Sequence, residues 1–518
     1  MVTTAAPLPA GSPVAVIGAG AMGAGIAQVA ALAGHRVQLH DARFGAGEAA
    51  KRGIAEALSK QVAKGRLANA AAAAAVDRIE SVVTLPDTCI ATLVVEAIVE
   101  ELDTKRELFA RLENVVGPEC ILATNTSSLS ITALAAGLKY PGRLVGMHFF
   151  NPAPLMPLVE VVSGLATSET VAATVFATAT AWGKTPVHAA STPGFIVNRC
   201  ARPFYGEALR LLAEGAADPV TLDAVMRDAG GFRMGPFELM DLIGLDVNFA
   251  VTKSIWQAYF NDPRYAPSVR QQELVAAGFL GRKSGRGFYD YTSGAPPPEP
   301  RCEMVSTVPA KVAVHGDLGI VAPLADRIAG ADIAVEHTRA DSRFPRGALH
   351  VAGDGGGAWI ALTDGRTATA RVAPTGVRNL VLVDLALDFA ATKRLAVARA
   401  DTCDDDAYAA AVGALRTAGI AVCRLDDVAA LAVMRTVATL ANEAADAVVQ
   451  GVASPAAIDL AMQQGVNYPR GPLAWADALG AALIGDVLVH LAAHYAEDRY
   501  RISPLLARRA ATGGTFHG

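Results

Sequence analysis

From Val14 onward the chain alternates short, β-branched apolar runs with stretches of helical period. Residues 14–18 and 36–41 read as strands, with a helix over 21–33 between them and a helical stretch carrying Lys51 and Lys60 behind. Further strands are expected at 81–83, 92–97, 120–124, 144–148 and 157–162, with a helix over 104–116. Such alternation predicts a parallel, doubly wound sheet. After Ser191-Thr192-Pro193-Gly194 the period becomes helical, up to a glycine-rich end at Gly281, Gly285 and Gly287. Residues 292–300, rich in proline, read as a stiff linker. Strands return at 311–314, 347–351 and 380–383, with a helix over 407–418. From Asp426 the helical pattern repeats. An offset of 236 aligns Arg199 with Arg435, Glu207 with Glu443, Asp223 with Asp459 and Gly235-Pro236 with Gly471-Pro472, which argues for a duplication. Asn198 meets Met434 at this offset and Asn248 meets Ile484, so the second copy keeps the framework and loses polar groups.

Composition narrows the classes. At 518 residues the chain is too long for one core. Hydrophobic residues make up 52% and charged ones 18%, in groups too short to span a bilayer, so no membrane partner is expected. Residues 1–12 lack a basic cluster and an apolar segment, which predicts a cytoplasmic protein. Six scattered cysteines without a C-x-x-C pair suit reduced thiols and imply no metal site. A net charge of -5 with mixed signs disfavours nucleic acid as a partner. An anionic ligand must then be held by a local site.

One candidate for such a site is Gly18-x-Gly20-x-x-Gly23, between a strand and a helix. Glycines there allow a tight turn and a close approach of the backbone to a pyrophosphate, which the helix N-terminus then binds. Asp41 ends the next strand, where a carboxylate can accept from ribose hydroxyls and repel a 2′-phosphate. NAD is therefore favoured over NADP, a preference that Arg43 softens. The other reading of Asp41 is an ordinary strand-end turn.

A second constellation comprises Asn125-Thr126-Ser127-Ser128, the string Gly146 to Pro152 with His148, and Glu160, each group at a strand end. A histidine so placed can take a hydroxyl proton while hydride leaves the same carbon, and a carboxylate on its other nitrogen fixes the tautomer. Alternatively, His148 is a satisfied structural histidine and Glu160 a solvent-facing strand residue.

Five strings, at 94–100, 125–129, 148–152, 193–199 and 235–239, resemble the 3-hydroxyacyl-CoA dehydrogenase family in order and spacing. The resemblance implies a Rossmann-type α/β N-terminal domain (1–191), an all-α dehydrogenase domain (192–292), a smaller α/β domain (301–425) and a second all-α repeat (426–518). It implies NAD-dependent oxidation of an (S)-3-hydroxyacyl-CoA in a homodimer, with His148 as general base paired to Glu160. Ser127 and Asn198 would hold the 3-oxygen, while Asp41, Glu100, Lys105, Asn125 and Lys283 would contact NAD along with Gly18, Gly20 and Gly23. Ser127 equally reads as a helix cap, Asn198 as a helix-start residue, and Glu100 and Lys105 as a solvated helix face. Lys51 and Lys60, with Arg52, Lys64 and Arg66, either meet the CoA phosphates, with Ser127 also near the substrate, or form a solvated face. Long members with a duplicated helical domain resemble dehydrogenases for 3-hydroxyadipyl-CoA in phenylacetate breakdown, or for 3-hydroxybutyryl-CoA. A non-enzymatic dinucleotide-binding protein, or a dehydrogenase for a small free hydroxy acid, are the remaining alternatives.

Overall fold

The computed structural model describes residues 6–292, 298–305, 307–353 and 357–518. Most of the expected linker, and the glycines between 353 and 357, lie outside them. The chain divides into two compact units: Met1–Arg199 with Gln450–Val466, and Cys200–Val449 with Asn467–Gly518.

The first unit is built on an eight-stranded sheet in the order β3-β2-β1-β4-β5-β6-β7-β8. These strands are β1 (Pro13–Ile17), β2 (Arg36–His40), β3 (Ile79–Val82), β4 (Leu93–Glu96), β5 (Ile121–Thr124), β6 (Leu144–Phe149), β7 (Leu158–Ser163) and β8 (Thr185–Ala190). Strands β1, β4 and β5 are apolar almost throughout because both faces are covered, the normal pattern for a parallel sheet. The order reverses between β1 and β4, the switch point where open α/β sheets bind nucleotides. One departure matters for the site. β7 runs antiparallel to β6, so Glu160 lies inside its strand opposite His148 and not at the end of a parallel one. β8, whose Pro186 and His188 break the alternation, was not expected from the pattern. The helix Pro455–Val466, which belongs by sequence to the second repeat, packs in this unit on β7 and β8, where Gly465 lets Leu158 and Val197 approach.

The second unit holds a seven-stranded mixed sheet between two sets of helices in the chain, in the order β10-β9-β11-β12-β13-β14-β15. Its strands are β9 (Lys311–His315), β10 (Ala334–Thr338), β11 (Ala348–Val351), β12 (Ala358–Leu362), β13 (Leu380–Val383), β14 (Arg394–Arg399) and β15 (Ala421–Arg424). Helix starts repeat at the offset of 236: Pro219–Asp228 with Pro455–Val466, Pro236–Ile243 with Pro472–Leu479, and Leu245–Ala258 with Ala481–Tyr495. Within the second unit the copies exchange partners. Arg499 and Tyr500 bond Glu207 of the first copy at 2.8 and 2.9 Å, and Tyr265 bonds Glu443 of the second at 2.6 Å, with Arg264 3.5 Å from the same carboxylate. Arg435 adds a bond to Glu207 at 2.8 Å. This reciprocity is what two surfaces related by a two-fold axis produce. Met434 and Ile484 are fully buried, as their apolar replacement of asparagines suggests. No single helix among the described residues is long and apolar enough to cross a membrane.

Candidate active site

The glycine turn joins β1 to the helix Ala21–Leu32. Gly18 has φ +105°, and a Cβ there would lie 2.5 Å from the Ala97 carbonyl oxygen; one on Gly23 would lie 1.7 Å from that of Gly18. Both must be glycine for the strand, turn and helix to close up. Gly20 is different, because nothing lies within 4 Å of its Cβ position. The helix behind it has no side-chain cap and no acidic residue in its first turn. Open space over uncapped N–H groups fits a pyrophosphate.

Asp41 is tied to this turn. Its Oδ2 accepts from Ala19 N at 2.8 Å and its Oδ1 from Arg43 Nε at 3.0 Å. Desolvation pushes its pKa up, but the bonds from the Arg43 side chain and Ala19 N prevail and hold it at about 2. Asp41 is thus an ionised acceptor beside the nucleotide turn, and more than a strand-end residue.

Facing strands bring the second group together. His148 and Glu160 are directly opposed in the β6–β7 ladder, and His148 Nδ1 lies 2.6 Å from Glu160 Oε2. Glu160 is wholly buried, and its Oε1 accepts from Ile196 N at 2.9 Å and Val197 N at 3.0 Å, at the start of the helix Val197–Cys200. This leaves the solvent-facing reading of Glu160 without support. His148 is 5% exposed and lies against Phe150 and Phe195, whose ring centroids are 4.5 and 5.9 Å away.

Across from it, Asn125 Oδ1 accepts from Phe149 N at 2.9 Å and so pins the 125–130 loop to the end of β6. Glu100 organises that loop: its Oε1 accepts from Thr126 Oγ1 at 2.7 Å, Ser127 N at 2.8 Å and Ser128 N at 3.1 Å. Against the desolvation that raises it, these donors and Lys105 lower the Glu100 pKa. The solvated-face reading does not hold for Lys105, whereas Glu100, although bonded to the loop, keeps a side chain 38% exposed. Lys105 is buried, with Nζ 2.5 Å from Glu96 Oε1 and 3.4 Å from Glu100 Oε2. Glu96, a fully buried carboxylate that also accepts from Thr124 Oγ1 at 2.6 Å, was missed in the sequence; its only signal was an acid closing an apolar strand. The helix cap after the loop is Ser130, which accepts from Ala133 N at 3.1 Å, so Ser127 is not the cap. Asn198 Nδ2 reaches the Ser127 carbonyl at 3.4 Å.

Lys283 lies in the second unit, ion-paired with Asp246 at 2.6 Å. Lys60, Arg52, Lys64 and Arg66 are exposed and Lys51 is half-buried, all on or just after the helix Ala46–Ala63. No cluster of three or more metal-ligating side chains occurs among the described residues.

Residues 13–192 match the NAD-binding domain of 3-hydroxyacyl-CoA dehydrogenases, and 194–291 and 432–515 match their C-terminal domain. Residues 360–428 match the reduced Rossmann-fold domain of 3-hydroxybutyryl-CoA dehydrogenase. A 3-hydroxyadipyl-CoA dehydrogenase of Escherichia coli is 43% identical over 96% of this chain and 97% of its own. A 3-hydroxybutyryl-CoA dehydrogenase of Clostridioides difficile is 40% identical over 54% of this chain and 98% of its own. The crystal structure of a 3-hydroxybutyryl-CoA dehydrogenase from Escherichia coli superposes with a TM-score of 0.87, at 42% identity, covering 97% of this chain and 98% of that one.

Proposed function

Because the chain belongs to the 3-hydroxyacyl-CoA dehydrogenase family, we propose that it oxidises (S)-3-hydroxyadipyl-CoA to the 3-oxoacyl-CoA, with His148 as general base. The observation that carries this is the His148–Glu160 pair, 2.6 Å apart and buried in a nucleotide-binding sheet. NAD is the cofactor, and when bound it supplies the hydride acceptor. Gly18, Gly20 and Gly23 with the helix behind them would hold its pyrophosphate, and Asp41 its ribose.

With Nδ1–H donated to Glu160, His148 keeps a lone pair on Nε2, which takes the proton of the substrate hydroxyl. Glu160 then faces an imidazolium and stabilises it, while Ile196 N and Val197 N keep the carboxylate from turning away. Phe150 and Phe195 exclude water from the ring, which strengthens the pairing. Ser127 and Asn198 hold the 3-oxygen; Glu100 and Asn125 position the loop that carries Ser127. Lys51 and Lys60 are the candidate contacts for the CoA phosphates.

A C4 substrate is the second reading, favoured by the name of the superposed crystal structure, whereas the full-length relative of similar identity acts by its name on the adipyl ester. Measured kcat/KM for 3-hydroxyadipyl-CoA and (S)-3-hydroxybutyryl-CoA decides. A higher value for the dicarboxylic ester supports the proposal, a higher value for the C4 ester replaces it, and no NADH from either refutes the reaction.

A further inference from the structure

Within the second unit, β15 closes one edge of the sheet and carries Cys423, which is wholly buried, while Cys302 is exposed on a segment beside that strand. The two Sγ atoms are 3.9 Å apart, although the residues stand 121 positions apart in the chain. Neighbours on both sides hold Cys302 there. Arg301 N donates to Thr221 Oγ1 at 3.1 Å and its side chain pairs with Asp218 at 3.0 Å, while Glu303 N donates to the Val422 carbonyl at 2.8 Å. Arg394 Nη1 donates to both sulfurs, at 2.9 Å to Cys302 and 3.3 Å to Cys423, and its Nε is fixed by Asp228 at 2.8 Å. A guanidinium so placed repels a metal cation and favours a thiolate, the form that attacks an oxidant. Cys302 also lines a pocket of about 370 Å³ with Asp218, Arg301, Glu303 and Arg424, so a small solute reaches its sulfur. Cys423 is cut off from solvent, and burial pushes its pKa up to about 11 against the pull of Arg394.

We propose that Cys302 and Cys423 are a peroxide-reactive thiol pair, in which Cys302 attacks the oxidant and Cys423 closes a reversible disulfide. The Cys302 sulfur attacks one oxygen of hydrogen peroxide: an S–O bond forms, the O–O bond breaks, and the departing hydroxide takes the Cys302 thiol proton and leaves as water. The product is a sulfenic acid. Cys423 sulfur then attacks Cys302 sulfur; an S–S bond forms, the S–O bond breaks, and the hydroxyl leaves with the Cys423 proton as a second water. Two thiols lose two electrons and one peroxide gains them. The disulfide ties residues 298–305 to the sheet edge at β15, and a reducing thiol releases them.

The test uses the full chain as wild type, Cys302→Ser and Cys423→Ser, treated with hydrogen peroxide, alkylated at intervals and mapped as peptides without reduction. In the wild type, Cys302 and Cys423 should disappear together into one linked peptide, lighter by two hydrogens than its two parts, and dithiothreitol should restore both thiols. Cys302 should react at least about tenfold faster than Cys89, an exposed cysteine outside the pair. Cys423→Ser should stop at a sulfenic acid on Cys302 that dimedone traps, and Cys302→Ser should leave Cys423 reduced. A wild type whose Cys302 reacts no faster than Cys89, or whose Cys302 and Cys423 do not link to each other, overturns the proposal. Oxidation of Cys423 in Cys302→Ser at the wild-type rate overturns the assigned order of attack. Should either variant not fold, the wild-type map and rates decide alone.

Discussion

Replacing Glu160 with glutamine tests the pairing through its proton. Glu160 uses both oxygens, Oε2 towards His148 Nδ1 and Oε1 for two backbone N–H groups, and has no exposed surface. Glutamine offers only one acceptor oxygen. With the amide nitrogen against Ile196 N and Val197 N, two buried donors would lose their acceptor, at about 1–3 kcal/mol each. The oxygen must therefore stay there, and the NH₂ turns to His148. An NH₂ can only donate, so Nδ1 becomes the acceptor and the ring proton moves to Nε2, the atom that should receive the substrate's proton. The expected loss in kcat is about 10³–10⁴-fold, or roughly 4–5.5 kcal/mol of barrier. NAD affinity should hold within about threefold, since Asp41 and the glycine turn are untouched, the usual result when a substitution is distant and shares no partners. Initial rates of NADH formation and NAD titration measure the two quantities. A folded Glu160→Gln enzyme with kcat within tenfold of wild type would refute the tautomer argument.

Asp41→Ala should weaken NAD binding and relax discrimination against NADP, because an acceptor and a repulsive charge vanish together; unchanged KM values for both cofactors would reduce Asp41 to a brace for the glycine turn. Glu207, fully buried, is pushed up by desolvation but held at about 2 instead of 4.5 by Arg499 and Arg435. Its folded pKa is depressed, so it contributes roughly 3 kcal/mol that is present above pH 4.5 and lost as the pH falls towards 2. Glu207→Gln should lower Tm by several degrees at neutral pH and flatten that acid limb; an identical pH profile would count against the ion cluster. Calorimetry on the full chain should find one NAD per chain, since Gly18, Gly20, Gly23 and Asp41 have no copy at the offset of 236; two sites of similar affinity would contradict a catalytically silent repeat.

The parts legible in the sequence are those whose signal is local. Gly18, Gly20 and Gly23 are dictated by the turn they sit in, and the offset of 236 survived because helix starts such as Pro219, Pro236 and Pro472 mark each copy. Partners set by long-range packing were not legible. Nothing in the pattern distinguishes an antiparallel β7 from a parallel one, although this direction puts Glu160 opposite His148. The Lys105–Glu96 pair joins a helix to a strand end, and an isolated Lys on a helix reads as solvated until the helix is docked. β10, exposed along nearly its whole length at a sheet edge, lacks alternation, and the other missed strands are four to six residues long. The docking of Pro455–Val466 on β7 and β8 likewise depends on surfaces that no local window contains.

The most direct test of the central claim is kcat for NADH formation by His148→Gln on the acyl-CoA substrate, taken together with its NAD dissociation constant. With His148 as the general base, kcat should be lower by roughly 10²–10⁴-fold, the contribution of a positioned base, with NAD bound as in the wild type. A kcat within tenfold of wild type would contradict it.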